Sequence, residues 1–205
     1  MSTTTENGKH KNYVIYADAT KCKGCRRCEL ACIASHNDMT IKEAIKVRNE
    51  LEPRVHVIRT ETLKMPVQCR QCEHAPCASV CPTQALQQDE SGAVVMRTQY
   101  CAGCGLCVMA CPYGAVTRSF VRLTEEEKAR LDSGEGPRLV AVRCDLCEHW
   151  RAKEGKNVSA CVEACPAGAL RMIPVEEYRA MMKEGAVPHT ELVDAFDDKD
   201  DGGMI

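Results

Sequence analysis

Cys101-Ala102-Gly103-Cys104-Gly105-Leu106-Cys107-Val108-Met109-Ala110-Cys111-Pro112 places four thiols at spacings x2, x2 and x3, with a proline directly after the last. The same punctuation recurs on either side. Upstream lie Cys69, Cys72, Cys77 and Cys81, spaced x2, x4, x3 before Pro82, and Cys22, Cys25, Cys28 and Cys32, spaced x2, x2, x3. Downstream lie Cys144, Cys147, Cys161 and Cys165, spaced x2, x13, x3 before Pro166. These four groups use all 16 cysteines of the 205-residue chain. Three of them run on into an internal repeat of the form C-P-x-x-A-[LV]: Cys81-Pro82-Thr83-Gln84-Ala85-Leu86, Cys111-Pro112-Tyr113-Gly114-Ala115-Val116 and Cys165-Pro166-Ala167-Gly168-Ala169-Leu170. The first group ends without the proline, at Cys32-Ile33-Ala34.

Three chemistries could use such thiols. A disulfide framework needs an oxidising compartment and is typical of small secreted chains. The N-terminus Met1-Ser2-Thr3-Thr4-Thr5-Glu6-Asn7 has neither an apolar stretch nor twin arginines, so the expectation is a cytoplasmic protein with reduced cysteines. Structural zinc takes paired C-x2-C knuckles, and the fourth group with its x13 gap has that look. Three thiolates in one tight loop, as in Cys22-Cys25-Cys28 and Cys101-Cys104-Cys107, instead suit three corners of an iron–sulfur cubane. A fourth cysteine three residues on, with proline after it, completes the ligand run of two-cluster ferredoxins, where that fourth cysteine serves the other cluster. Sixteen thiolates at four per cubane imply four [4Fe–4S] clusters.

Composition agrees. Aromatic residues make only 4% of the chain, thin for an ordinary core. Clusters would fill interior volume and tie distant segments together, coupling folding to cofactor assembly. Sixteen thiolates and four cores of about 2+ turn the formal charge of −2 into about −10 for the oxidised holoprotein. No apolar run is long enough to span a membrane. No basic arm or RNA-binding signature points to nucleic acid.

Short β-rich runs beside the groups predict strands at Tyr13–Tyr16, Val55–Arg59, Ala93–Thr98 and Leu139–Val142. Thr40-Ile41-Lys42-Glu43 has capping-box form and predicts a helix to about Glu52, stopped by Pro53. Thr124-Glu125-Glu126-Glu127 predicts another to about Asp132, and Pro174 at a first-turn position predicts a third over Val175–Glu184 with Gly185 as its cap. The segment Glu191–Asp201 is acidic, with Leu192, Val193 and Phe196 as its apolar stripe.

The expected architecture is α+β: two bacterial two-cluster ferredoxin units, one nested in the other. The second and third groups are close in sequence and pair as an inner unit over residues 54–118. The first and fourth, left by elimination, form an outer unit over 13–37 plus 138–173. Residues 38–53 form a helical insertion, 119–137 a linker, and 174–205 a C-terminal helix with an acidic tail. Under ligand exchange Cys69, Cys72 and Cys77 take Cys111, and Cys101, Cys104 and Cys107 take Cys81. Likewise Cys22, Cys25 and Cys28 take Cys165, and Cys144, Cys147 and Cys161 take Cys32.

The four groups resemble the four-cluster iron–sulfur subunits of the dimethyl sulfoxide reductase and formate hydrogenlyase type. The segment Pro66-Val67-Gln68-Cys69-Arg70-Gln71-Cys72-Glu73-His74-Ala75-Pro76-Cys77 is most similar to the subunit that accompanies carbon monoxide dehydrogenase. Arg143-Cys144-Asp145-Leu146-Cys147 and Ala160-Cys161-Val162-Glu163-Ala164-Cys165-Pro166 match the broader family. The resemblance covers about residues 13–173 and implies the nested pairing. It also implies an anaerobic electron relay between a catalytic subunit and a second redox partner such as a hydrogenase or flavoprotein. Carbon monoxide dehydrogenase, formate dehydrogenase, hydrogenase and aldehyde oxidoreductase are the catalytic partners it allows.

Residues near the cysteines refine this. Lys21, Lys23, Arg26 and Arg27 crowd the first loop, where positive charge raises a cluster's potential or meets an acidic partner. Gly24, Gly103 and Gly105 allow backbone N–H groups to turn toward sulfur. His36, His74 and His149 flank groups already complete in thiolates. Tyr100 and Tyr113 are expected to shield a cluster, and Trp150 to pack. No G-x-G-x-x-G or Walker A loop offers a second cofactor site, so no catalytic residue is assigned and the chain is read as a wire rather than an enzyme. A chain of this length spans about 40 Å when folded, so four clusters would leave short hops. The competing classes are a catalytic iron–sulfur enzyme and a zinc-stabilised scaffold or redox sensor.

Overall fold

The computed structural model describes residues 12–121 and 138–184. Its strands form four antiparallel two-stranded ribbons. Strand β1 (Tyr13–Ala17) pairs with β8 (Leu170–Pro174), Val14 facing Ile173, so the two ends of the described chain close on each other. β2 (Val55–Arg59) and β3 (Lys64–Gln68) form a hairpin, as do β4 (Leu86–Gln88) and β5 (Val94–Met96). β6 (Val116–Val121) pairs with β7 (Arg138–Arg143), joining the end of the span read as the inner unit to the start of the outer unit's second segment. Short helices complete an α+β architecture: α1 (Arg27–His36), α2 (Ile41–Val47), α3 (Pro76–Ser79), α4 (Leu106–Ala110), α5 (Glu148–Glu154), α6 (Ala160–Glu163) and α7 (Val175–Lys183).

The C-P-x-x-A-[LV] repeat is a structural unit. The proline after the last cysteine stops the helix before it. Gln84, Gly114 and Gly168, at the same step of the repeat, then turn the chain through positive φ of 54°, 59° and 59°. The alanine that follows is buried in each case, and Leu86, Val116 or Leu170 opens a strand.

The side-chain core is built around cysteine. Ile15, Ala17, Val55, Val57, Met65 and Leu170 pack with Cys28, Cys32, Cys69, Cys144 and Cys161. Ala75, Ala85, Leu86, Val94, Val116 and Val140 pack with Cys77, Cys101 and Cys107. β1 serves two layers through its period of two: Ile15 and Ala17 face the first of these clusters, while Val14 and Tyr16 join Ile173 and Val175 beneath Tyr178 and Met181 of α7. Each fully buried aliphatic side chain here contributes about 1.5–3 kcal/mol.

Differences from the expected elements have local causes. The strand expected at Ala93–Thr98 is confined to Val94–Met96, and a 3-10 turn follows over Thr98–Tyr100. β3, β4, β6 and β8 were not expected. β3 contains Pro66, which a two-stranded ribbon tolerates because only one edge of the strand is paired. The Thr40–Glu43 capping box forms, but α2 stops at Val47 and a turn precedes Pro53. Pro174 is extended (ψ 143°) and caps α7 rather than opening its first turn. β6 runs to Val121, into the span read as linker. The helix expected over Thr124–Asp132, the Gly185 cap and the acidic segment Glu191–Asp201 lie outside the described residues.

Candidate metal centres

All four groups share a turn at the first C-x2-C. The residue ahead of the second cysteine has positive φ each time: Gly24 (65°), Gln71 (50°), Gly103 (69°) and Leu146 (59°). This turn curls the loop back on its first thiol. The Gly24 N–H donates to Cys22 Sγ and the Gly103 N–H to Cys101 Sγ, both at 3.4 Å. Short helices present further thiols: Cys28 and Cys32 one turn apart on α1, Cys77 on α3, Cys107 on α4 and Cys161 on α6.

In space the cysteines regroup. Cys22, Cys25 and Cys28 share a cavity of about 340 Å³, open to solvent, with Cys165. Cys101, Cys104 and Cys107 share one of about 330 Å³ with Cys81. Burial raises the Cys72 thiol and pushes that of Cys77 up to about 11, with the charges of Cys69 and Cys111 adding to both. Burial also carries Cys144 and Cys161 well above the usual thiol range, and Cys32 lies close enough to add to each. Cys147 is raised by burial and again by Cys32, against the lowering charge of His36. Cys22, Cys25, Cys28 and Cys165 thus line one cavity and Cys81, Cys101, Cys104 and Cys107 another, while Cys144, Cys147 and Cys161 lie near Cys32, and Cys72 and Cys77 near Cys69 and Cys111, giving four neighbourhoods, or quartets, of thiols.

The quartets adjoin one another: Cys28, Cys32, Cys69, Cys144 and Cys161 pack in one core cluster. Cys28, of the first, lies close enough to raise Cys161, of the second. Cys69, of the third, does the same to Cys144, of the second. The third and fourth share one packed cluster through Cys77, Cys101 and Cys107. Cys25 and Cys104 are the exposed cysteines, one in each outermost quartet.

Backbone donors line the sulfurs beyond the loops. Arg54 N–H donates to Cys32 Sγ at 3.2 Å, Leu86 N–H to Cys81 at 3.5 Å, Ala115 N–H to Cys111 at 3.4 Å and Ala141 N–H to Cys101 at 3.4 Å. Burial works to raise Cys81, but the Leu86 N–H and the Thr83 hydroxyl outweigh it and lower that thiol. Each quartet thus has at least one sulfur accepting from a backbone N–H, which fits a [4Fe–4S] core whose charge would hold the buried thiols as thiolates.

Charged side chains whose placement the cysteine spacing does not encode sit behind these sulfurs. Arg143, 6% exposed, reaches from one quartet to the next: its Nη1 lies 4.0 Å from Cys69 Sγ and donates to the Cys144 carbonyl at 2.5 Å. Arg138 donates to the carbonyls of Gln99 and Cys101. Asp145 accepts from His36 Nε2 (2.9 Å), Arg54 Nη1 (2.5 Å) and the Cys147 N–H (3.0 Å). Burial pushes Asp145 up, yet His36 and Arg54 hold it well below the usual carboxylate range. Burial likewise lowers His36, but its bonds to Asp145 and Cys32 raise it to about 10. His36, Asp145 and Cys147 offer donor atoms within 4.8 Å of one another, each already engaged as described. The only sign of this in sequence was that Arg143 and Asp145 bracket Cys144.

Other candidates fall elsewhere. His74 and His149 are exposed. Tyr100 and Tyr113, expected as shields, are 53% and 45% exposed, and Tyr113 lies under Arg70, 5.2 Å from its ring centre. Trp150 packs beside Ala31, Cys147 and Ala160. Among the described residues no helix is long and apolar enough to cross a membrane.

An α+β frame whose core side chains pack onto clustered cysteines defines the class, an iron–sulfur protein. The chain belongs to the 4Fe-4S dicluster domain family, which it matches over residues 60–174. It is 44% identical over 177 residues to an iron-sulfur protein of Rhodospirillum rubrum, covering 85% of this chain and 88% of that one. It is 42% identical over 163 residues to the electron transport protein HydN of Escherichia coli (strain K12), covering 78% and 86%. It is also 33% identical over 194 residues to hydrogenase-4 component A of the same strain, covering 84% and 88%. These relatives support a ferredoxin-like electron-transfer protein with [4Fe–4S] clusters.

Proposed function

We propose that the chain holds four [4Fe–4S] clusters in series and relays electrons between a catalytic oxidoreductase and a second redox protein, with no substrate chemistry of its own. When bound, each cluster takes up and gives back one electron. The ligand sets are the four quartets: Cys22, Cys25, Cys28 with Cys165; Cys144, Cys147, Cys161 with Cys32; Cys69, Cys72, Cys77 with Cys111; and Cys101, Cys104, Cys107 with Cys81. They correspond to one two-cluster ferredoxin unit nested in another.

One observation carries the reading. Cysteines of the first three quartets share one packed cluster and those of the last two share the next, and the exposed thiols Cys25 and Cys104 belong to the first and the last quartet. A path with two accessible ends and a buried middle is what a relay requires and what a scaffold does not. The protein's own groups keep that middle dry and bias its potential: buried Cys144 and Cys161 exclude water, while Arg143 places a positive charge beside Cys69. Positive charge and N–H donation to sulfur both favour the reduced state.

Carbon monoxide dehydrogenase is the first candidate for the catalytic partner, on the likeness of Pro66–Cys77. A hydrogenase is the alternative, and the relative named as a hydrogenase-4 component supports it. The anaerobically purified holoprotein should take up about four electrons per chain from a low-potential reductant. It should turn over neither carbon monoxide, formate nor hydrogen by itself. Substrate turnover by the isolated chain would overturn the relay assignment.

A further inference from the structure

The two exposed thiols sit in different surroundings. Near Cys104 the exposed side chains of the flanking elements are largely apolar, Tyr100 (53%), Leu106 (41%), Met109 (77%) and Phe120 (68%), with Arg118 beside Gly105, 3.5 Å from where a methyl group there would lie. Around Cys25 they are basic. Lys21, Lys23 and Arg26 are exposed on the loop itself and Arg27 at the start of α1. The fold adds two more that lie far away in sequence. Arg59 and Lys64 face each other across the β2–β3 hairpin, and the hairpin lays them over the loop. A methyl group built on Gly24 would lie 3.2 Å from Lys64 Cδ and 3.3 Å from Arg59 Nε.

Little acid answers this collar. Asp18 is engaged with Lys21 at 3.0 Å. Glu29 lies 3.9 Å from Arg26 and accepts the Val57 N–H at 2.6 Å. Glu61 is in the turn of the hairpin. Among the described residues no carboxylate stands within the 4.0 Å ion-pair distance of Lys23, Arg27, Arg59 or Lys64. The collar thus gathers six basic side chains on a chain whose formal net charge is −2 and which four clusters would carry to about −10.

We infer that this collar is the docking site for the acidic face of a redox-partner protein, and that the Cys25 end of the relay is the port it serves. The inference rests on the relay reading above. With a cluster held by Cys22, Cys25, Cys28 and Cys165, one electron would pass to it from the partner's reduced cofactor, the core going from 2+ to 1+. No bond is made or broken and no proton moves. Charge complementarity selects an acidic partner and speeds its encounter. A protein fits better than a single-stranded nucleic acid, because segments 20–28 and 57–66, which carry the collar, contain no aromatic residue on which a base could stack.

The test uses the holoprotein and the variant K23E/R27E/R59E/K64E, with the milder K23Q/R27Q/R59Q/K64Q in reserve should charge reversal lower the iron content. R118E, at the opposite end, is the control. The first readout is binding of an oxidised, acidic flavodoxin by calorimetry, with no electron transfer involved. The wild type should bind it at low salt and lose it at high salt. The variant should bind about tenfold more weakly, and R118E as the wild type does. The second readout is the rate of reduction by two viologen radicals of one chemistry and opposite charge, propyl viologen sulfonate (anionic) and methyl viologen (cationic). Reversal should slow the anionic donor and speed the cationic one. If binding and both rates are unchanged in the variant, the collar is not a port, although the relay stands. If the wild type accepts electrons from neither viologen, the relay reading itself fails. Binding of duplex DNA or phosphatidylserine vesicles that survives high salt and is lost in the variant would assign the collar to another class of partner and overturn the inference.

Discussion

Alanine at Gly103 and alanine at Gly24 should have unequal consequences, although the two glycines occupy the same step of the same loop. Both have positive φ, 69° and 65°, and both donate to the preceding sulfur at 3.4 Å. Placing a non-glycine residue in the left-handed region costs about 1–2 kcal/mol. That cost is common to both, and Gln71 and Leu146 show that the fold bears it at this step. What differs is the neighbour. A Cβ at position 24 meets the side chain of Lys64 at 3.2 Å, which can swing aside. A Cβ at position 103 falls 2.6 Å from the Leu139 carbonyl oxygen. That carbonyl belongs to β7, which is tied to β6 along its whole length, and it would have to retreat by about 0.4 Å to reach even the 3.0 Å limit. Forced displacement of packed backbone adds about 1–3 kcal/mol. Gly24→Ala should therefore cost about 1–2 kcal/mol, and Gly103→Ala about 2–5 kcal/mol. The assay is anaerobic thermal loss of the charge-transfer absorption, with iron content measured before heating. Equal destabilisation of the two variants, or greater damage from Gly24→Ala, would refute the reasoning.

Three further outcomes follow from the same geometry. Cys32→Ser should remove the cluster of Cys144, Cys147 and Cys161 and leave that of Cys22, Cys25 and Cys28 intact, a loss of about a quarter of the iron resolved by Mössbauer spectroscopy; loss of the Cys22 cluster instead would contradict the exchange of ligands. Arg143→Met withdraws the positive charge beside Cys69 and should lower the potential of that cluster in an EPR-monitored titration, and an unchanged potential would show that the charge is already screened. Thr40→Ala breaks the capping box of α2 and should cost about 1 kcal/mol with iron content unchanged; iron loss would show that α2 supports a cluster.

The cysteine groups, the α+β class and the strands at Tyr13, Val55 and Leu139 were legible because each rests on local spacing or local β-rich composition. The strands that were missed depend on partners far along the chain. β8 exists because β1 lies beside it, and its sequence Leu170-Arg171-Met172-Ile173-Pro174 has no strict alternation and ends in proline. β4, β6 and β8 each begin at the last residue of the C-P-x-x-A-[LV] repeat. The repeat was seen, but its role as a helix stop, a positive-φ turn and a strand start needs backbone angles. The cysteines were found by counting, whereas the groups behind them were not. Arg54, Arg143 and Asp145 act through burial and neighbours, neither of which spacing encodes. Arg59 and Lys64 reach the first loop only because a hairpin folds over it.

Four clusters held by sixteen cysteines are tested most directly by the metal and sulfide content of anaerobically purified protein. Four cubanes require about sixteen iron and about sixteen acid-labile sulfide per chain, with no stoichiometric zinc. A reproducible value near eight iron, with zinc making up the remaining sites, would contradict it.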